Sequence, residues 1–200
     1  MKKITFIIAA IVMLSNITTI NAQNDCTIQY NLFKGEVQTK KFDSAYVKLI
    51  SLMENCPTLS INIYKFGDKV AKQRFKVATD KAEAFTFIQK VFKQRLQYFP
   101  TKDAAKANSD FATFVAKHKL ATEDEIFGYL EKAYAIDPTK MGVRNIYTYF
   151  QGVTDRHKDT NAQLVFDTYD DVLEAVSNKL KDYSKKLKPL LEAIERGEDL

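Results

Sequence analysis

Three times along this chain an apolar helical pattern runs into a proline. The endings are Asn55-Cys56-Pro57, Tyr98-Phe99-Pro100 and Ile136-Asp137-Pro138. Proline lacks an amide donor and forces the residue before it out of the helical region, so each ending stops a helix. The clearest case is Tyr30–Pro57. Its first helix carries Tyr30, Leu32, Phe33 and Val37, and Thr39-Lys40-Lys41 makes a turn. The second opens at Phe42-Asp43 and carries Ala45, Tyr46, Leu49, Ile50, Leu52 and Met53. A pair this small cannot bury both of its apolar faces, so it calls for neighbours of the same kind. A helix pair recurring every 20–50 residues predicts an α-solenoid.

The same grammar continues downstream. Ser60 caps a helix through Ile63, Phe66, Gly67, Val70, Ala71 and Phe75. Asp80, with Glu83 three residues on, opens a second through Phe85, Ile88, Phe92, Leu96 and Phe99. The third pair runs from Lys102 to Lys119 through Phe111, Phe114 and Val115. It resumes at the Thr122–Glu125 capping box with Ile126, Phe127, Leu130, Ala133, Tyr134 and Ile136. Met141–Val153 begins a fourth unit, and Asp155–Asn161 reads as a polar break. The last helix starts near Ala162. Its apolar positions are Tyr169, Val172, Val176, Leu180, Tyr183, Leu187, Leu190 and Ile194, in steps of three and four. That spacing predicts a long heptad-patterned helix, with a kink or restart at Pro189. Such a seam packs on the last repeat, self-associates through residues 169–194, or awaits a further helix. With only 6 glycines and 4 prolines in 200 residues, a turn-rich β fold is excluded and an all-α chain expected.

The N-terminus has the form of a secretory signal. Met1-Lys2-Lys3 is basic, Ile4–Leu14 is apolar, and a polar stretch follows, ending in Ala22. Cleavage is expected between Ala22 and Gln23. The apolar run is too short for a spanning anchor, which needs about 20 residues. The expected organisation is a signal peptide over 1–22, a helical-repeat domain over 23–158 and a C-terminal helix over 159–200. Loss of Lys2 and Lys3 leaves 28 basic against 25 acidic residues, a net +3. The dense basic cluster, Lys181–Lys188, suits a solvated helix face better than nucleic acid. An exported chain meets an oxidising compartment, so Cys26 and Cys56 are expected to pair. They stand before the first helix and after the second, which an antiparallel hairpin brings together. Free thiols or a redox pair are the alternative, disfavoured by the absence of a C-x-x-C.

Catalytic signals are missing. His118 and His157 lie on different units with no second ligand nearby, and neither a nucleophile elbow nor a phosphate loop occurs. Asp167, Asp170 and Asp171 could hold a cation, although carboxylates in a first helical turn are explained by the helix dipole. The expectation is a non-enzymatic chain without cofactor or metal.

The first unit, Y-N-L-F-K-G-E-V-Q-T-K-K-F-D-S-A-Y…E-N-C-P, resembles a tetratricopeptide repeat. Leu32 stands at the inward position of the first helix, Phe42-Asp43 open the second, Ala45 is the small crossing residue and Pro57 the closer. The second unit keeps Gly67 and the third keeps E-K-A-Y-A-I-D-P, but Ile88 and Ile126 replace the small residue. The chain also resembles exported repeat proteins of the Bacteroidota envelope. That likeness lies in D-C near the mature start, in E-I-F-x-x-L-x-K-A-Y…D-P-x-K-M-G-V-R-N-I-Y, and in V-F-D-T-Y-D-D-V. The resemblance implies an α-α superhelix whose first helices line a groove that takes another protein or a peptide. The groove positions it implies are Tyr30, Lys34, Gln38, Tyr64, Asp68, Lys72, Asn145 and Tyr149. Aromatic stripes at helical spacing are as often packing as binding. The implied role is an adaptor or assembly factor in the periplasm or at the outer membrane. The alternative is a structural protein self-associating through its last helix.

Overall fold

A computed structural model describes residues 25–101 and 103–196, without the side chains at 190, 193 and 194. The expected signal segment and its cleavage point lie outside these residues, as do the side chains of Leu190 and Ile194. Among the described residues every regular element is helical. These are α1 (residues 25–38), α2 (Phe42–Asn55), α3 (Ile61–Val77), α4 (Lys81–Tyr98), α5 (Ala104–His118), α6 (Glu123–Ile136), a 3-10 turn (Pro138–Lys140), α7 (Val143–His157) and α8 (Ala162–Glu195). The chain is therefore all-α, a succession of helical hairpins. It divides into two units, Met1–Pro100 and Thr101–Leu200. Within the second unit α8 packs on α7.

In the first unit, α1 ends because Lys40 turns left-handed, with φ of 60°. Lys41 N–H then reaches back to the Glu36 carbonyl at 2.8 Å, closing the free end of the helix. The chain reverses, and Cys26 meets Cys56 in a disulfide with the Cα atoms 5.8 Å apart. Lys48 of α2 pairs with Glu36 of α1 at 2.7 Å. Phe33 of α1 and Ala45, Leu49 and Leu52 of α2 are fully buried. Each large one contributes about 1.5–3 kcal/mol of burial. Leu32, expected to point inward, is 50 % exposed, and its neighbour Phe33 takes that place. A one-residue step turns a helical position by roughly 100°, so packing of one excludes the other.

The next hairpin rests on Gly67. A β-carbon there would come within 2.8 Å of Leu49 Cδ1, so α2 and α3 approach as only glycine allows. Ser60 accepts from the Asn62 amide, and Asp80 accepts from Ala82 and Glu83, which starts α3 and α4 where the sequence places them.

The second unit has a core of Ala112, Leu130, Ala133, Met141, Ile146 and Ala175, ringed by half-buried tyrosines and valines. The Thr122–Glu125 capping box forms in both directions. Pro138 does more than close α6: it begins a 3-10 turn, with Asp137 accepting from the Thr139 amide at 2.9 Å. The expected break at Asp155 is displaced, since α7 runs on to His157. Arg156 is used there, pairing with Asp124 and lying 4.1 Å from the Phe127 ring centre. Pro189 does not restart α8, which continues through it to Glu195.

Candidate functional site

The groove residues implied by resemblance separate into three groups. Tyr64 is fully buried and donates its hydroxyl to the Pro57 carbonyl at 3.0 Å, so it belongs to the core and presents nothing to a partner. Burial and the neighbouring Tyr98 hold its hydroxyl well above the usual tyrosine range. Asn145 and Tyr149 are likewise structural. The Asn145 amide donates to the Ser109 carbonyl, the Ser109 hydroxyl and the Thr113 hydroxyl at 2.7–2.8 Å, tying α7 to α5. Tyr149 stacks on Tyr134 and Phe127, with ring centres 4.3 and 5.6 Å away. Asp68 and Lys72 pair with each other at 2.8 Å on one face of α3. Lys34 and Gln38 are exposed and Tyr30 half-buried on α1.

The aromatic cluster of the second unit is dry enough to hold its hydroxyls protonated. Tyr134 is pushed up to about 12 by burial, then by Asp171 and Tyr149. Tyr149 and Tyr129 are raised for the same first reason. The Tyr134 hydroxyl is buried without a hydrogen-bond partner. Asp171 and Glu174 flank it along a shallow depression of about 370 Å³ with Pro138 and Thr139. No group of three or more His, Cys, Asp or Glu suited to a metal occurs among the described residues.

A deeper concavity lies in the first unit. Where α2 begins, α3 ends and α4 begins, the three leave a cleft of about 570 Å³. Its apolar walls are Tyr46, Ala71, Ala84 and Phe87, with the Tyr46 and Phe87 rings edge to face at 4.8 Å. Arg74 lies flat over Tyr46, its guanidinium carbon 3.8 Å from the ring centre. Asp43, itself fully exposed, holds the same guanidinium at 3.3 Å. Lys90 stands at the rim, 3.9 Å from Glu54. Asp80 and Glu83 face them from the first turn of α4.

This arrangement offers rigid aromatic area beside an oriented cation and a pair of carboxylates. Such a surface suits an extended polypeptide with one apolar side chain to insert and charges on either side. A guanidinium stacked on an aromatic face keeps its outer N–H groups for a carboxylate or carbonyl. Sequence reasoning passed over these residues because Asp43 and Arg74 are 31 positions apart. One signal was present: Phe87 is an aromatic lying off the Phe85–Ile88–Phe92–Leu96 stripe read from the sequence, although α4 buries Ile88, Val91 and Arg95 most deeply.

No described helix is long and apolar enough to cross a membrane. No protein-family model, curated protein or solved structure matches the chain.

Proposed function

We propose that this chain is an exported helical-repeat scaffold of the tetratricopeptide-like kind, which holds a peptide segment of another envelope protein as an adaptor or assembly factor. The observation that carries the reading is the α2–α3–α4 cleft, where Arg74 is stacked on Tyr46 beside Phe87. The Cys26–Cys56 disulfide supports it, since a staple of this kind is compatible with export to an oxidising compartment. The binding face is thereby moved from the first-helix positions implied by resemblance to the turn end of the first unit.

The test is photo-crosslinking in cells with a crosslinking residue at Val77, which is 76 % exposed and lines the cleft, or at Lys34 on α1. A defined protein adduct at Val77 that is absent at Lys34, and that disappears with Arg74→Glu, is the expected result. Adducts at Lys34 alone, or none that depends on Arg74, would discard the cleft.

A further inference from the structure

Among the described residues the second unit exposes a large apolar surface, and it is regular. On α8, Phe166, Tyr169, Leu173, Leu180, Tyr183 and Leu187 are between 47 % and 65 % exposed. With the half-buried Val176 they follow steps of three and four, the spacing of a heptad seam. This stripe shares Tyr169, Val176, Leu180, Tyr183 and Leu187 with the one read from the sequence and differs at its N-terminal end. Val172 packs on the core of the second unit beside the buried Ala175, so the seam runs through the exposed Leu173 in its place, while the half-buried Val176 touches the core with one side and borders the seam with the other. Lys179 fixes the rotation of α8, donating to the Thr139 carbonyl at 2.8 Å. The stripe therefore adjoins the packed face and meets it at Val176.

The charges along α8 are segregated. Residues 162–178 carry Asp167, Asp170, Asp171 and Glu174 and no cation, a net charge of −4. Residues 179–196 carry six cations against three carboxylates, a net charge of +3. Laid antiparallel on a copy of itself, the acidic half of each helix meets the basic half of the other. Laid parallel, like meets like along the whole length.

We propose that two copies of this chain pair through α8 in an antiparallel, two-fold coiled coil. In the register that keeps apolar layers continuous, Leu173 packs against Tyr183 of the second copy and Val176 against Leu180. Ser177 then faces its own symmetry mate. The contact is self-complementary, as a two-fold interface requires. A foreign helix would have to reproduce the same charge reversal, whereas a second copy carries it by construction. Pro189 removes one backbone donor from the ladder and sets the end of the seam, leaving about three heptads from Phe166 to Leu187.

The experiment is sedimentation equilibrium of the purified chain over about 1–200 µM, at low salt and at about 0.5 M salt. A concentration-dependent dimer that weakens at least several-fold at high salt is expected. Leu180→Ser with Leu187→Ser, both at exposed positions, should abolish it while the circular dichroism spectrum stays helical. Because the native cysteines are paired, added ones report orientation: Asp170→Cys mixed with Ser184→Cys should form a mixed disulfide dimer. A monomer at every concentration, a dimer that tightens with salt, or one that survives the double serine variant would overturn the proposal. So would Leu187→Cys crosslinking to itself in place of the mixed pair, since Leu187 lies far from its own mate in the antiparallel register and meets it only in the parallel arrangement.

Discussion

The two units solve one problem with different materials. Both stack short helical hairpins, and both must hold the first against the second. The first unit does so covalently, joining Cys26 to Cys56 across the open end of α1 and α2, and sterically, by bringing α2 against Gly67. The second unit has no cysteine. It relies on polar ties, the Asn145 clamp and the Thr122–Glu125 box, and on a stack of rings from Phe127 through Tyr149 to Tyr134. A covalent staple leaves side chains free, and in the first unit the spare ones, Arg74, Tyr46 and Phe87, line a cleft. Where polar and aromatic residues are consumed in packing, as with Asn145 and Tyr149, they are lost to binding.

The sharpest way to break this contrast is to open the staple. Cys26→Ser with Cys56→Ser, or reduction, should destabilise the first unit by about 3–4 kcal/mol, the chain-entropy value for a loop of this length. Hydrogen exchange should then show lost protection in α1–α3 and none in α6–α7. Equal loss in both units would mean that they fold as one.

Next comes the close approach. Gly67→Ala drives a methyl group into the fully buried Leu49, and should cost about 2 kcal/mol in a denaturant melt. Gly152→Ala meets the Phe127 ring even more closely, at 2.5 Å, but that ring is only half-buried and can swing. Helix propensity returns about 1 kcal/mol at either position, so it is the yielding ring that should make the net effect at Gly152 smaller. If Gly152→Ala proved the worse, the rings of the second unit would be as rigid as the core of the first.

Asn145→Ala removes a part-buried tie and should cost the second unit about 1 kcal/mol. The two buried tyrosines sharpen the comparison further. Tyr64→Phe gives up a hydrogen bond to the Pro57 carbonyl and should cost about 1 kcal/mol, whereas Tyr134→Phe gives up an unpartnered hydroxyl and should be neutral or slightly stabilising. The alkaline behaviour has a definite sign. The folded-state value for Tyr134 lies above the unfolded one, so its contribution is whole below pH 10 and is lost as pH rises towards about 12. Tyr134→Phe should flatten that limb of a pH-dependent melt.

The smallest effect concerns two lysines that end helices in the left-handed region, Lys40 with φ of 60° and Lys119 with φ of 55°. Glycine at either should stabilise its own unit by about 0.5–1 kcal/mol.

How far the sequence could be read follows from the same contrast. Local chemistry was legible: proline closers, the capping residues Ser60, Asp80 and Thr122, and the cysteine pair act within one hairpin, and a glycine such as Gly67 marks a close helix approach by its lack of a side chain. What helical spacing leaves open is which neighbour covers a face. Tyr64 and Lys72 sit on the same helix at compatible spacing, yet the hydroxyl of Tyr64 ends against Pro57 while Lys72 stays at the surface. On α8, Val172 and Leu173 are adjacent apolar residues, and the core chooses one. Asn145 looked like a surface donor because its partners are 32 and 36 residues away. The cleft was hidden for the same reason, being assembled from the ends of three helices.

The disulfide also has a mechanical meaning. If the chain is pulled from its two ends, tension enters at Cys26 and leaves at Cys56 through the sulfur bridge, so the first hairpin carries no load while the bond is intact. The chain between them, a sequence separation of 30, is stored slack. Reduction would release roughly 100 Å of extended chain at a stroke. The thiol state of one bond therefore sets how far the two ends of the chain can be drawn apart.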